Sequence, residues 1–356
     1  MRKRLAFCIA LAFLPRAAIA AQGTEPLKLS ARIPLTNVNG RMDHLAVDID
    51  GQRIFATAFD NHTLEVIDLR AGKQVSTTGG LNEPQGGYYD AAGKRLFVAS
   101  GGDGTVKIFN ATSMQLMQTT KLGQDADNVR FDARRNHVLA GYGGEKFLYG
   151  KPAREQGDGA LAILDLTGKI VARIPTAAHP ESFQLEKAGN RVFINVPDKM
   201  EIQVADLASN RTIAHWPATG CSDNFPMQLD ESHHRLFVAC REPASLMAFD
   251  TDTGKPVANL PLDPAVFSDD LFYDASKGRI YVIGRAVIPG DERAPSAGSV
   301  EVIRQADANH YQKVMSYPTG WGAQTGWFVP EWSKLIIATR RQDAARPGEI
   351  LVYDVQ

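Results

Sequence analysis

The chain has 356 residues, a formal net charge of −1, 8% aromatic residues and 22% charged residues. This near-neutral balance, with no basic stripe or charge run, excludes a surface built for nucleic acid. Hydrophobic residues make up 44% of the chain, enough for a large core, but after the first twenty positions no segment is long and apolar enough for a membrane span.

The chain opens on an export pattern. Met1-Arg2-Lys3-Arg4 is basic, Leu5 to Leu14 is apolar but too short to cross a bilayer, and Ala18-Ile19-Ala20 fits small-x-small cleavage. Residues 1–20 are therefore expected to be a signal peptide and residues 21–356 a single domain, periplasmic or secreted. Cleavage removes Arg2, Lys3, Arg4 and Arg16 and no acid, so the mature net charge is −1 − 4 = −5. Cys8 leaves with the apolar core. Cys221 and Cys240 remain in an oxidising compartment. A hairpin turning near Ser232 and His233 brings them together, so a disulfide is expected. The alternative is two separate small buried thiols.

Leu27 to Leu35 alternates like a strand but has no partner nearby in sequence. A repeat follows. Its copies are Val47 to Ala58, Tyr89 to Ser100, Phe131 to Tyr142, Leu185 to Val196, Leu229 to Cys240, Tyr273 to Gly284 and Val329 to Arg340. Each reads as a strand end, a tight turn and a buried strand. The anchor positions are Asp48, Asp90, Asp132, Glu186, Asp230, Asp274 and Pro330, at steps of 42, 42, 54, 44, 44 and 56 residues. A second alternating run follows each copy and ends at Asp68, Asn110, Asp165, Asp206, Asp250, Arg304 and Asp354. Four short strands per period of about 40–45 residues is the pattern of a β-propeller blade. The last blade has three strands of its own, so Leu27 to Leu35 is expected to supply the fourth and close a ring of seven.

From anchor to the end of the third strand takes 20 residues in four blades, but 33, 30 and 24 in blades three, six and seven. The excess lies between the second and third strands, at Gly143 to Gly159, Arg285 to Gly298 and Arg341 to Gly348. These loops open on the same face as the turns between blades, so they are expected to rim one mouth of the central channel, where loops on a rigid scaffold carry binding.

The blades resemble the YVTN-type β-propeller repeat family. The resemblance rests on Asp50-Gly51-Gln52-Arg53-Ile54-Phe55, Val66-Ile67-Asp68 and Thr253-Gly254-Lys255, and it covers nearly the whole mature chain. It implies an all-β, seven-bladed propeller. Similar proteins include surface-layer components, propellers with lactonase activity and propeller subunits of periplasmic amine dehydrogenases. Blades three and seven depart from the pattern at Arg134-Arg135, Pro330 and Trp332.

The chemical signal lies at the start of each first strand. Five positions before the anchors stand Asp43, Gln85, Asp127, Glu181, Phe225, Asp269 and Thr325; Asp223 lies two further back in blade five, where a bulge would align it. Like charges gathered at one mouth need neutralising. A divalent cation such as calcium, held by Asp43, Asp127, Glu181, Asp223, Asp269 and Asn128, is one expectation. A cationic ligand such as an amine is another. The plainer alternative is that these groups satisfy backbone N–H groups at turns or line a water-filled channel.

His44 and His179 reach the same mouth and are the candidate catalytic bases. Arg41, Arg241, Arg285 and Arg340 follow strand ends there and are expected either to hold a carboxylate or phosphate or to pair with the ring acids. Gln85, Asn128 and Gln324 add amides. His233-His234 falls on the opposite face, as solvated surface. No nucleophile elbow, HExxH, CxxC or haem motif occurs.

Two functions are compatible with this pattern. One is an exported binding or scaffold propeller, expected to be a monomer, that presents its rimmed face to a small molecule, a cation or a periplasmic protein. The other is a metal-assisted hydrolase or lactonase using the axial acids with a histidine. Partnership with a redox enzyme rests on the family resemblance alone.

Overall fold

The computed structural model describes residues 25–144, 147–148, 151–152, 158–291 and 294–356. The expected signal peptide lies outside these residues.

Seven four-stranded antiparallel sheets form the ring. Blade one is Met42–Asp48, Arg53–Ala58, Thr63–Asp68 and Lys73–Thr78. Blade two is Pro84–Asp90, Arg95–Ser100, Thr105–Asn110 and Leu116–Lys121. Blade three is Val129–Asp132, His137–Tyr142, Gly159–Leu164 and Ile170–Thr176. Blade four is Phe183–Leu185, Arg191–Val196, Glu201–Asp206 and Arg211–Pro217. Blade five is Ser222–Asp230, Arg235–Glu242, Ala244–Asp250 and Pro256–Pro261, and blade six is Phe267–Asp274, Arg279–Arg285, Ala297–Gln305 and Tyr311–Trp321. Blade seven has Thr325–Val329, Lys334–Ala338 and Gly348–Val355, with Leu27–Leu35 as its outer strand. In the long loop of blade three, Phe147–Leu148 pairs with Lys151–Pro152.

The alternating pattern explains the packing. Each second and third strand is buried on both faces, because each blade is sandwiched between two others. The core therefore divides into clusters between adjacent blades. One joins Phe55, Leu64 and Val66 of blade one to Leu96, Val98 and Phe109 of blade two. Another joins Ile33 and Leu35 of the N-terminal strand to Ile350 and Val352 and to Leu45 and Ile54 of blade one.

The repeat's acid and arginine have a structural task on the face opposite the rim. Asp48 pairs with Arg53, Asp90 with Arg95 and Glu186 with Arg191, each tying its own hairpin. The same guanidiniums reach the following blade. Arg53 donates to the Ala111 carbonyl at 2.8 Å, Arg95 to Leu166 at 2.7 Å and Arg191 to Thr251. Arg235 reaches Ala308 and Arg279 reaches the Gln356 carbonyl. In blade three, Arg134 takes over and reaches the Ala188 carbonyl at 3.0 Å. The departure at Arg134-Arg135 thus moves the clasp by a few residues rather than losing it.

Between blades seven and one no such arginine stands at the hairpin; Lys334 pairs within its own blade, with Asp354. The N-terminal strand joins them instead. It pairs from Leu27↔Val355 to Leu35↔Gly348. Cys221 and Cys240 are bonded across the first hairpin of blade five, with Cα atoms 5.4 Å apart, as the hairpin register led one to expect.

Deleting Leu27–Leu35 should leave Gly348–Val355 as an open edge and lower the melting temperature sharply, with concentration-dependent association through that edge. Scanning calorimetry and light scattering test this. A deletion variant that melts with the intact chain and stays monodisperse would show that the ring holds without closure.

Candidate functional site

The first strands of neighbouring blades pack against one another around the axis. Their starts lie at the mouth that carries the long loops. Four starts are bulged, with register shifts between Met42 and Leu45, Pro84 and Gly87, Asn224 and Met227, and Ser268 and Asp270. In blades two to five the residue two positions before the expected ring residue is left-handed: Glu83, Asp125, His179 and Asp223 have φ of 50°, 52°, 54° and 52°. Bulges and left-handed residues turn the chain sharply, so side chains aim across the axis rather than along it. At Gly86 a Cβ would lie 2.3 Å from the Asp127 carbonyl oxygen, so only glycine lets blades two and three approach this closely.

His44 stands at the centre. Its Nδ1 is 3.1 Å from Asp270 Oδ1, and Asp270 Oδ2 accepts from the Gly326 N–H at 2.8 Å. Its Nε2 is 3.6 Å from Asp127 Oδ1 and 3.8 Å from Asp43 Oδ1, with the Asn128 amide at 3.4 Å. Burial opposes charging this ring, but Asp270 first, and then Asp43 and Asp127, more than offset it and raise the imidazole well above its usual value. A charged His44 donates at both nitrogens, which suits an Asn128 amide turned with its oxygen toward Nε2. Asp127 is pushed up by its own burial and by Glu181, against the pull of His44. Asp127 Oδ1 is buried and has no hydrogen-bond partner.

A second group forms on blades two to four. His179 Nδ1 lies 2.6 Å from Asp125 Oδ2 and Nε2 lies 2.6 Å from Glu181 Oε1. Burial lowers this ring's affinity for a proton, but Glu181 and Asp125 reverse the balance and raise it well above the usual imidazole value. Gln85 donates to Asp125 at 3.1 Å and accepts from Arg41 at 3.3 Å, linking the group to blade one.

The arginines occupy the other arc, on blades five, six, seven and one. Arg241 pairs with Asp269 at 2.6 Å and Arg41 with Asp43 at 2.6 Å. Arg241 is clamped between Phe225 and Phe267, at 3.4 and 3.8 Å from the ring centroids. Arg285 lies over the other reach of Phe267, at 4.1 Å. Gln324 is the hub: it donates to Asp269 at 2.6 Å and accepts from Arg285 at 3.1 Å and Arg340 at 3.2 Å.

The residues expected at the mouth are thus brought together, with one exception. Asp223 stays at the edge, only partly buried, and takes part in no ion pair among the described residues. Blade five contributes Phe225 instead, whose ring lies against the Arg241 guanidinium, while Asn224 beside it donates to Asn195 and the Glu201 carbonyl of blade four. Asp43, Asp127, Glu181 and Asp269 each have an arginine or histidine beside them, which offsets part of their mutual repulsion. Among the described residues no group of three or more His, Cys, Asp and Glu is arranged to hold a metal ion. Sequence reasoning missed the roles of Asp125 and of Arg130, whose guanidinium burial lowers its affinity for a proton while Asp270 and Asp127 partly restore it. Polar residues two positions before each ring position, at Asp125 and His179, were the signal for the first. His233 and His234 lie half-exposed on the opposite face, beside Asp230 and Asp252.

The His44 proton makes stability depend on pH. Its value is raised on folding, so the stabilisation is full below the unfolded value, about 6.5, and fades as pH rises through the folded value. A His44→Gln variant should therefore be about 3 kcal/mol less stable near pH 6, with the gap closing in alkali. Denaturant unfolding across this range reads the gap; a constant gap would mean that His44 is neutral in the folded chain.

No family model and no curated protein sequence matches the chain. Solved structures do. A chain of hydrazine synthase from Kuenenia stuttgartiensis superposes with a TM-score of 0.71 at 14% identity, over 90% of this chain and 99% of that one. A chain from a mitotic checkpoint complex superposes with a TM-score of 0.70 at 12% identity, over 99% of each. At such identities the likeness is one of fold alone, and it places this chain among seven-bladed β-propellers.

Proposed function

We propose that the protein is an exported binding propeller that holds a small polar ligand, or the polar tip of a protein partner, at its charged mouth. One observation carries the reading. The ring needs no charge at this end, yet Asp43, Asp127, Glu181, Asp269 and Asp270 are buried there against His44, His179, Arg41 and Arg241. Buried ion pairs seldom stabilise a fold more than apolar groups of the same shape. A scaffold selected only for stability would not collect them at one mouth. Groups left with unused bonding capacity, Asp127 Oδ1 and Arg340 Nε among them, mark where a ligand would add contacts.

The reading fits the export pattern of residues 1–20, the Cys221–Cys240 bond and the resemblance to YVTN-type repeats, whose members include binding and scaffold proteins. A divalent cation such as calcium is the second reading. Asp127 Oδ1 favours it, as a buried oxygen without a donor. The cation would have to compete with His44 and His179 for Asp127 and Glu181, so its affinity would fall with pH.

The test is a thermal-shift panel of amines, organic acids, sugars and calcium on the mature chain and on Asp127→Asn, with elemental analysis of protein purified without chelator. At least one class should stabilise the wild type saturably and the variant less, while the unliganded variant stays within about 1 kcal/mol of the wild type. If nothing shifts the wild type and the variant is damaged like a core lesion, the charges are structural and the proposal falls.

A further inference from the structure

His179 and its partners lie on blades two to four, His44 on blade one and Arg130 on blade three. Four arginines gather on blades five, six, seven and one, where Arg241, Arg285 and Arg340 occupy matching places at or just past the end of the second strand of three successive blades. Arg285 and Arg340 converge on a single neutral acceptor, the Gln324 amide oxygen. The orientation of that amide is set by its other end, which donates to Asp269.

Arg340 is the cation least provided for. Among the described residues its side chain enters no ion pair, and it donates to Gln324 Oε1. Its Nε is buried without a hydrogen-bond partner. Burial and then the neighbouring Arg41 and Arg285 push its proton affinity down to about 10. A guanidinium presents a planar fork that matches an oxyanion bidentately, and it gains most where other cations crowd it and water is scarce.

We infer that the mouth binds a small oxyanion, a carboxylate or phosphate group, seated against Arg340 and flanked by Arg41 and Arg285, with Gln324 fixing the two guanidinium planes. This rests on the binding reading above and names the chemical class of its ligand. The two acids nearest these arginines are already engaged, Asp43 with Arg41 and Asp269 with Arg241.

Titration calorimetry and thermal shift with inorganic phosphate, citrate and acetate test the inference, with chloride at matched ionic strength as control. Wild type should bind phosphate or one of the carboxylates saturably, and the pattern of preference separates the two sources. Arg340→Gln should weaken binding at least about tenfold, Arg340→Lys less, and Arg134→Gln, on the far face, not at all. Unliganded Arg340→Gln should be as stable as wild type, since it removes a crowded cation. If Arg340→Gln does not fold, Arg340→Lys and Gln324→Leu carry the test. The inference is overturned if no oxyanion binds beyond chloride, or if Arg340→Gln and Gln324→Leu bind as wild type does. Should oxyanions fail while another class in the panel still binds at the mouth, only the ligand class is wrong. Should nothing bind, the binding reading fails with it.

Discussion

The structure depends on one set of backbone hydrogen bonds made between the two ends of the chain. A propeller has no edge only if its last blade is completed, and here the completing strand, Leu27–Leu35, pairs with Gly348–Val355. The other blade junctions are reinforced by arginines that tie one hairpin and donate to a carbonyl of the next blade. The junction between blades seven and one relies on the shared strand and on the cluster of Ile33, Leu35, Ile350, Val352 and Leu45. Closure also determines what faces what across the axis. His44 of blade one meets Asp270 of blade six, 226 positions away in the chain, only because the ring is closed.

The two faces of the disc solve different problems with the same residue types. On the hairpin face, acid and arginine form partly exposed staples that repeat with the blades and hold them in series. At the rimmed mouth, acid, arginine and histidine are buried, no two blades contribute the same set, and several of the pairs run between blades, as His44 with Asp270 and Arg241 with Asp269 do. Repetition serves the scaffold; departure from repetition marks the charged mouth. At the mouth, bulged strand starts and the left-handed residues Glu83, Asp125, His179 and Asp223 bend the backbone so that side chains are aimed across the axis.

Arg130 and the aromatic clamp illustrate how charge is made tolerable there. Arg130 lies near Asp270 and Asp127, and Arg241 lies flat between Phe225 and Phe267. The flat guanidinium can be stripped of water on both faces while its edge still donates to Asp269 and the Ser268 carbonyl. Lysine could not do this, because its charge is not planar.

The blade number, strand positions, closing strand, disulfide and the gathering of charged residues at one mouth were legible in the sequence because they follow from local rules. Alternation sets which residues a strand buries, turn residues set where it reverses, and the interval between anchors counts the blades. Counting five positions back from each anchor located Asp43, Asp127, Glu181 and Asp269 for the same reason. The partners of those acids were not legible. Whether Asp127 meets a cation or a proton, why Asp223 stands aside while Phe225 turns in, and how Asp125 joins His179 depend on bulges and on contacts between blades far apart in sequence. Those are decided when the ring closes and side chains from several blades compete for one small, poorly hydrated volume.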